Sequence, residues 1–335
     1  MTWPFLFGDI MAATGSTNNW AAAAQTNDAA ISYAMETDYG VAPATAYQAT
    51  RFTGENFRKQ KTRQRPDEIN GRAEASQAVT TQVAISGTLS GALSSATYDD
   101  FIAGVMRSDW KDGTITNGTD SASMLVKTFT IREKMLDSFL QRTGCFATQA
   151  QFSFQQGQFS TCSFDFTGAN EAKNKQDIAT SLLPAPTGTV IDTIGGFGGL
   201  TLGGVAPVGK VRQLSVTLGS TDAKSDYVMG QETAAGIVPG EFIASGQVQI
   251  MFKTFDEYDK FTEDWQGVIE ATVRDGSGNG YKFTFLNASL QNPQINAGSK
   301  NTSVVATFDI EGNPTAAGGT VTITKVTPPA PPAGG

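Results

Sequence analysis

Apolar and polar positions alternate along most of this chain, and a helical period interrupts them only twice. Residues 30–35 alternate as a half-buried strand does. Residues 39–44 read as a loop, and 47–53 resume strand character. Over 79–93, Val83, Ile85, Leu89 and Leu93 fall at even spacing, with Gly87 and Gly91 between them. Ser94 and Ser95 then open a helix, and either can cap it. Tyr98, Phe101, Ile102, Val105 and Met106 form its apolar stripe. Two hairpins follow. Residues 127–131 and 139–142 flank a turn near 135–138, and 151–154 and 162–166 are split by Gln156 and Gly157.

The later part of the chain repeats this order. Thr254 and Glu257 have the spacing of a capping box, and Tyr258, Phe261 and Trp265 follow on one helical face. The run 275–280 (Asp, Gly, Ser, Gly, Asn, Gly) is a strong hairpin turn. Residues 164–168 match 308–312 at a shift of 144, and Phe139 meets Phe283 at the same shift. Ser86 and Gly87 meet Ser245 and Gly246 at 159, and 98–101 meet 258–261 at 160. An insertion of about 16 residues between Arg107 and Met124 reconciles these offsets. A repeat of this length in constant order predicts two similar domains in tandem. Each is expected to be a β-sandwich with one flanking helix.

Boundaries follow from composition. Residues 1–30 show no lasting period and read as an extended N-terminal arm ordered by a neighbour. The first domain covers 31–172. A connector covers 173–209, Gly-rich at its end, with some strand at 190–194. The second domain covers 210–314. The tail 315–335 ends in a Pro-rich run that favours polyproline II, and 321–326 just before it can add one edge strand.

Gly is abundant, charged residues are 17%, and histidine is absent. Turn-rich β structure is favoured, and the usual general base and commonest metal ligand are missing. Cys145 and Cys162 lack the companions a zinc site needs. They are expected in neighbouring strands as small apolar residues, with a disulfide open to them if they face each other. The first cation is Arg51, so no secretory leader is expected, and no run is long and apolar enough to span a membrane. A net charge of −8 disfavours a nucleic-acid binder.

Candidate chemistry is sparse. Asp99 with Asp100, and Asp256 with Glu257, sit where a helix dipole favours carboxylates, so general acid–base work is not needed to explain them. The glycines of 195–209 lack the ending of a phosphate loop, and 275–280 lacks the carboxylates of a calcium loop. The sequons at Asn117, Asn287 and Asn301 lack a secretion route. No catalytic, cofactor or metal residues are assigned, and no enzyme is expected. The conspicuous feature is Arg58, Lys59, Lys61, Arg63 and Arg65, five cations in eight residues, followed by Asp67 and Glu68. The readings are a hairpin loop touching a neighbouring subunit, a solvated loop, or a DNA contact. The first is preferred, because the cluster sits in an acidic protein with no aromatics interleaved beyond Phe57.

The stretches 36–45 and 51–55, then 86–93 leading into 97–101, resemble the tail tube proteins of long-tailed bacteriophages. So do 127–131, 141–145 and 164–168. The resemblance covers about 31–172, and the second half joins it through the repeat. It implies a mainly β chain of two tandem tail-tube-like sandwich or barrel domains. It implies a structural virion protein, made in the host cytoplasm, whose rings stack into a hollow tube. Two domains per chain then imply a homotrimeric ring of pseudo-sixfold symmetry, contacts with other tail proteins at the tube ends, and viral DNA passing through the lumen without specific binding. No membrane partner and no cofactor are implied. A cell-surface, adhesin-like binding module is the alternative.

Overall fold

The computed structural model describes residues 23, 25–69, 71–120, 122–298 and 300–328. Most of the expected arm and the last Pro-rich residues lie outside these. In chain order, β1 (Ala30–Met35), β2 (Ala46–Ala49), β3 (Gly54–Glu55), β4 (Arg58–Gln64) and β5 (Val79–Ala92) lead to α1 (Asp99–Met106). Then come β6 (Thr114–Thr116), β7 (Thr128–Met135), β8 (Ser138–Gln155), β9 (Thr161–Gly168), β10 (Asn170–Asn174) and β11 (Ser181–Leu183). β12 (Phe197–Leu202), β13 (Val211–Thr221), β14 (Lys224–Asp226), β15 (Gly236–Val238) and β16 (Glu241–Met251) precede α2 (Asp256–Thr262). β17 (Gly267–Arg274), β18 (Gly280–Asn296), β19 (Val305–Gly312) and β20 (Val321–Val326) complete the described chain.

Two long strands organise everything else. The first part of β8 pairs with β7 and β10, and its second part pairs with β9 and β13. β8 therefore belongs to two layers. One runs β11–β2–β1–β7–β8–β10, and the other runs β4–β5–β9–β8, with β3 also on β5. The bend falls at Gly144, whose φ of +67° suits glycine, and a Cβ there would stand 2.8 Å from the Ala169 Cβ. Ladder bulges at 129/131 and 147/149 flank it. β18 behaves alike: its first part lies between β17 and β20, and its second part pairs with β19. Since β8 also meets β13, one continuous run of eight strands forms: β4–β5–β9–β8–β13–β16–β19–β18.

The two layers of the first half meet around Phe101 of α1. Its ring centroid lies 4.4 Å from Tyr33, 5.3 Å from Phe129 and Phe166, and 5.6 Å from Phe164. Aromatic pairs of this kind add about 0.5–1.5 kcal/mol each beyond area burial. The stripe predicted for α1 is fully buried. Phe152 of β8 and Phe283 of β18, 5.0 Å apart, carry the same core into the second half.

Several expectations need correcting. Neither helix is capped by its predicted hydroxyl. Tyr98 and Phe255 occupy the N-cap positions without a side-chain bond. Ser94 is instead buried, bonded to Thr97 and to the Arg51 guanidinium. Thr254 donates to the Asp256 carboxylate (3.0 Å) rather than to the helix backbone. The strand expected over 47–53 is confined to β2, and Tyr39–Ala44 is indeed irregular. The expected edge strand at 321–326 lies inside a sheet, between β18 and β6. The expected connector contributes β11 and β12, the latter pairing with β17 and burying Leu200 and Leu202. At 190–194 only isolated bridges form. Cys145 and Cys162 are both free and buried, the first opposite Phe129 and the second opposite Phe152 and Gly91.

Candidate assembly interface

The basic cluster is not a loop. Arg58, Lys59, Lys61 and Arg63 lie on β4, and only Arg65, Asp67 and Glu68 fall in the connection that follows. Every described residue from Arg58 to Ile69 is exposed. On a strand, successive side chains take opposite faces. Arg58 reaches Ser86 (3.3 Å), whereas Lys59 turns to the other face and donates to Asn170 (3.1 Å) and the Glu171 carbonyl (2.7 Å). Arg63 donates to the Ala78 carbonyl, and Arg65 to that of Ser76, which braces the connection. Among the described residues no carboxylate forms an ion pair with any of the five cations. Asp67 and Glu68 point to solvent beside them. The cluster is thus a charged sheet border, because among the described residues β4 has a ladder on one side only, with β5.

The eight-strand run has a matching open border at its other end. The second part of β18 pairs with β19 and with nothing else among the described residues. Between the two borders the sheet is sharply two-faced. Leu214, Val216, Phe164, Phe152, Val248 and Phe308 are buried on one face. Their neighbours Ser163, Ser215, Thr217, Gln247 and Thr307 line the other, with the carboxylates of Asp165, Asp309 and Glu311 and with Arg58 at the rim. This open face is hydroxyl- and amide-rich, and its charge is mainly negative.

Behind it, side chains from distant motifs converge on Glu36. Its carboxylate accepts bonds from the hydroxyls of Thr128 and Thr130 and from the Gly144 N–H, each at 2.8 Å, and from the Gly40 N–H at 3.0 Å. Arg142, buried, bridges the carboxylates of Glu133 (2.7 Å) and Glu171 (2.8 Å) and lies 4.8 Å above the Phe57 ring. A buried charge of this kind needs several partners; two carboxylates and a ring face it, while its Nη1 has no hydrogen-bond partner among the described residues. The paired carboxylates of α1 lie in its first turn and hold partners from other elements. Asp99 accepts from Tyr281 (2.6 Å) and pairs with Lys325, while Asp100 accepts from Tyr33 (2.9 Å). Burial and then the adjacent carboxylate hold the Tyr33 and Tyr281 phenols far above their ordinary range.

Arg107 escaped the sequence reading. It ends α1 in the left-handed region (φ 51°), is buried, and donates to the carbonyls of Pro239 and Gly240 and to Ser220. It ties the first helix to the β13–β16 hairpin, and burial lowers its pKa. A single arginine after a helix carries no signal of this kind. Of the sequon asparagines, Asn117 is buried, and its Oδ1 accepts the Thr320 and Val321 N–H groups. Asp275 closes the β17–β18 turn by accepting from Ser277 and Asn279, which is the predicted hairpin.

No curated protein matches the chain. A family model described as phage tail tube protein matches residues 26–312, spanning β1 through β19 and therefore both halves. The chain belongs to the phage tail tube protein family. It is a viral, bacteriophage structural protein of β-sandwich type. The motifs behind the resemblance now have physical roles within the tail tube fold. Glu36 and Gly40 join Thr128, Thr130 and Gly144, and Arg142 locks the β7–β8 hairpin to β10. The family match also reaches the second half, where sequence resemblance was carried by the repeat alone. No helix among the described residues is long and apolar enough to cross a membrane.

Proposed function

We propose that the chain is the major subunit of a hollow phage tail tube, with its halves acting as two copies of one building unit. Three chains then close a ring of pseudo-sixfold symmetry, rings stack, and DNA travels through the channel. The observation that carries this reading is the eight-strand sheet. It consists of two four-strand runs of the same order, β4–β5–β9–β8 and β13–β16–β19–β18, joined edge to edge and open at both ends. An open sheet border invites pairing with another chain, and ring closure removes it.

The registers support the duplication. Gly87 faces Phe166 as Gly246 faces Ile310. Thr88 faces and bonds Asp165 as Gln247 faces and bonds Asp309. In the β7–β8 hairpin, Phe129↔Cys145 and Ile131↔Arg142 surround a bulge, and in β17–β18, Gly267↔Ala288 and Ile269↔Phe285 do the same. These ladders place β8 and β18 at an offset of 143, from Arg142 to Phe285. Phe139 therefore shares its place with Lys282. The alignment of Phe139 with Phe283 is one residue out, which on a strand exchanges the two faces.

The polar face is the natural channel lining. Phosphates meet hydroxyls, amides and the carboxylates of Asp165, Asp309 and Glu311, so they find few cations to hold them. The cations of β4 take the role of subunit contact, together with Asp67 and Glu68. The subunit is assembled in the host cytoplasm, ends in the virion tail, and meets other tail proteins at the tube ends. Negative-stain microscopy of the purified protein tests the reading: hollow stacked rings are expected, and elongated single particles at high concentration refute it.

A further inference from the structure

We infer that successive chains join by repeating the seam between this chain's own halves. The β18 border of one copy pairs with the β3–β4 border of the next in the register Asn56↔Asn296 and Arg58↔Gln294. The 65–78 connection of that next copy covers the β16 border at Phe242. This rests on the building-unit reading above and adds a residue-level partner surface to it.

The register follows from ladders already described. Inside the chain, Ser215 faces Ser153 and Thr217 faces Gln151 across the β13–β8 seam. Arg58 holds the place of Thr217, since Arg58 faces Ser86 and Thr217 faces Ser245. β3 keeps the β4 register on β5, which puts Asn56 in the place of Ser215. Gln294 and Asn296 hold the places of Gln151 and Ser153, since they face Thr307 and Val305 as those face Ser163 and Thr161. Pro293 brings no N–H and sits in a ladder bulge, so the new ladder starts at Gln294.

Three differences between the closed and open seams point the same way. First, Val216 and Phe152, opposite each other in the closed seam, are wholly buried. Their counterparts Phe57 and Ile295 are only partly buried. Second, α1 packs against β13 of the other half, and its Tyr98 and Phe101 are buried. The counterparts on α2, Tyr258 and Phe261, remain half-exposed, and β4 of a second copy would cover them. Third, the 222–240 hairpin folds back over the first half. The Glu232 carbonyl accepts from the Val83 N–H (2.7 Å), and the Tyr227 hydroxyl donates to the Val83 carbonyl (3.0 Å). The counterpart of Val83 is Phe242, because Lys61 faces one and Ser220 the other. β19 first meets β16 at Ala244, so the border at Phe242 is open among the described residues, and residues 65–69 and 71–75 of the connection that would cover it stand exposed. Each open feature is the complement of another on the same molecule, which makes a second copy the fitting occupant.

Paired cysteines test the register. The Asn56 N–H donates to Thr88, away from the border, so Asn56 and Asn296 would form a closely spaced pair, ~4.5 Å between Cα atoms, within disulfide reach. Asn56→Cys with Asn296→Cys, oxidised after assembly, is expected to give an interchain ladder on a non-reducing gel that stops at a covalent trimer. Arg58→Cys with Gln294→Cys gives the same result if the first pair folds poorly. Ser153→Cys with Ser215→Cys should cross-link within the chain and stay monomeric. Asn56→Cys with Ala297→Cys, one residue out of register, should give no ladder. Native Cys145 and Cys162 are buried and stay out of the reaction. Tubes visible by microscopy without the ladder, or with a stronger one from the out-of-register pair, overturn the seam while leaving the tube reading intact. Failure of the unmodified chain to form rings overturns the tube reading, and the seam with it.

Discussion

Replacing Glu36 by alanine should destabilise the first half by about 4 kcal/mol. Four donors converge on its carboxylate: the hydroxyls of Thr128 and Thr130 and the N–H groups of Gly40 and Gly144. A hydrogen bond to a charged group contributes about 1.5–3 kcal/mol, and a buried donor left unmatched costs about 1–3 kcal/mol. The simple sum is too large. The threonine hydroxyls can turn to other acceptors, and Glu36 is half-exposed, so water reaches part of the vacated space. The two glycine N–H groups cannot turn, because both glycines are held at positive φ, +73° and +67°. Urea unfolding of the unassembled chain, followed by tryptophan fluorescence and circular dichroism, is the assay. With a slope of ~2 kcal/mol/M the midpoint of the first-half transition should fall by ~2 M. Thr130→Val alone should cost ~1.5 kcal/mol, and the double variant should cost less than the sum of the singles, because the residues share one interaction. A Glu36→Ala midpoint within ~0.3 M of the parent, or strict additivity with Thr130→Val, would refute the carboxylate's role as the hub.

Reversing Arg58, Lys59 and Lys61 together to glutamate should leave the monomer's circular dichroism unchanged and impair polymerisation, as read by sedimentation; normal tubes would remove the contact role. Arg107→Ala should cost about 3 kcal/mol, because three half-buried acceptors in the β13–β16 hairpin lose a charged donor, and hydrogen exchange should rise around Ser220 and Gly240 first. Asn117→Ala should cost about 2 kcal/mol in the same urea assay and loosen β20, whose Val321 N–H it binds. Burial pushes the Cys145 thiol up to about 12 and raises Cys162 in the same direction. Folding therefore favours the protonated thiols, a contribution that is full below the unfolded thiol value of about 9 and is lost as pH climbs toward 12. Melting temperature should fall between pH 8.5 and 10.5, less steeply in a Cys145→Ala, Cys162→Ala variant, and a thiol reagent should find neither cysteine in the folded protein at pH 8.

The strands were legible because their period is local. Val83, Ile85, Leu89 and Leu93 announce β5 wherever it goes, and Tyr98, Phe101 and Met106 announce α1. The proposed repeat rests on order and spacing, which sequence displays, and its alignment differs by one residue from the ladders at Phe139, where the residue types agree and the pairings do not. Pairing partners were not legible. Nothing in residues 149–155 says that β13, some sixty residues on, will lie beside them. The caps failed because Thr254 and Ser94 found stronger partners in Asp256 and Arg51. The basic cluster was found by composition, but its placement on a strand was hidden, since alternation of Lys and Arg with Gln and Thr has no apolar face to mark a period. The open borders of β4 and β18 are a property of topology and leave no mark on sequence.

The central claim is that one chain supplies two equivalent sheet units to a closed channel. Cryo-electron microscopy of the assembled tube, with symmetry determined without imposing it, tests this most directly. The account requires three chains per ring, with six sheet units around the channel that superpose on one another, their Ser, Thr, Gln and carboxylate face turned inward. Six chains per ring, or halves that do not superpose around the axis, would contradict it.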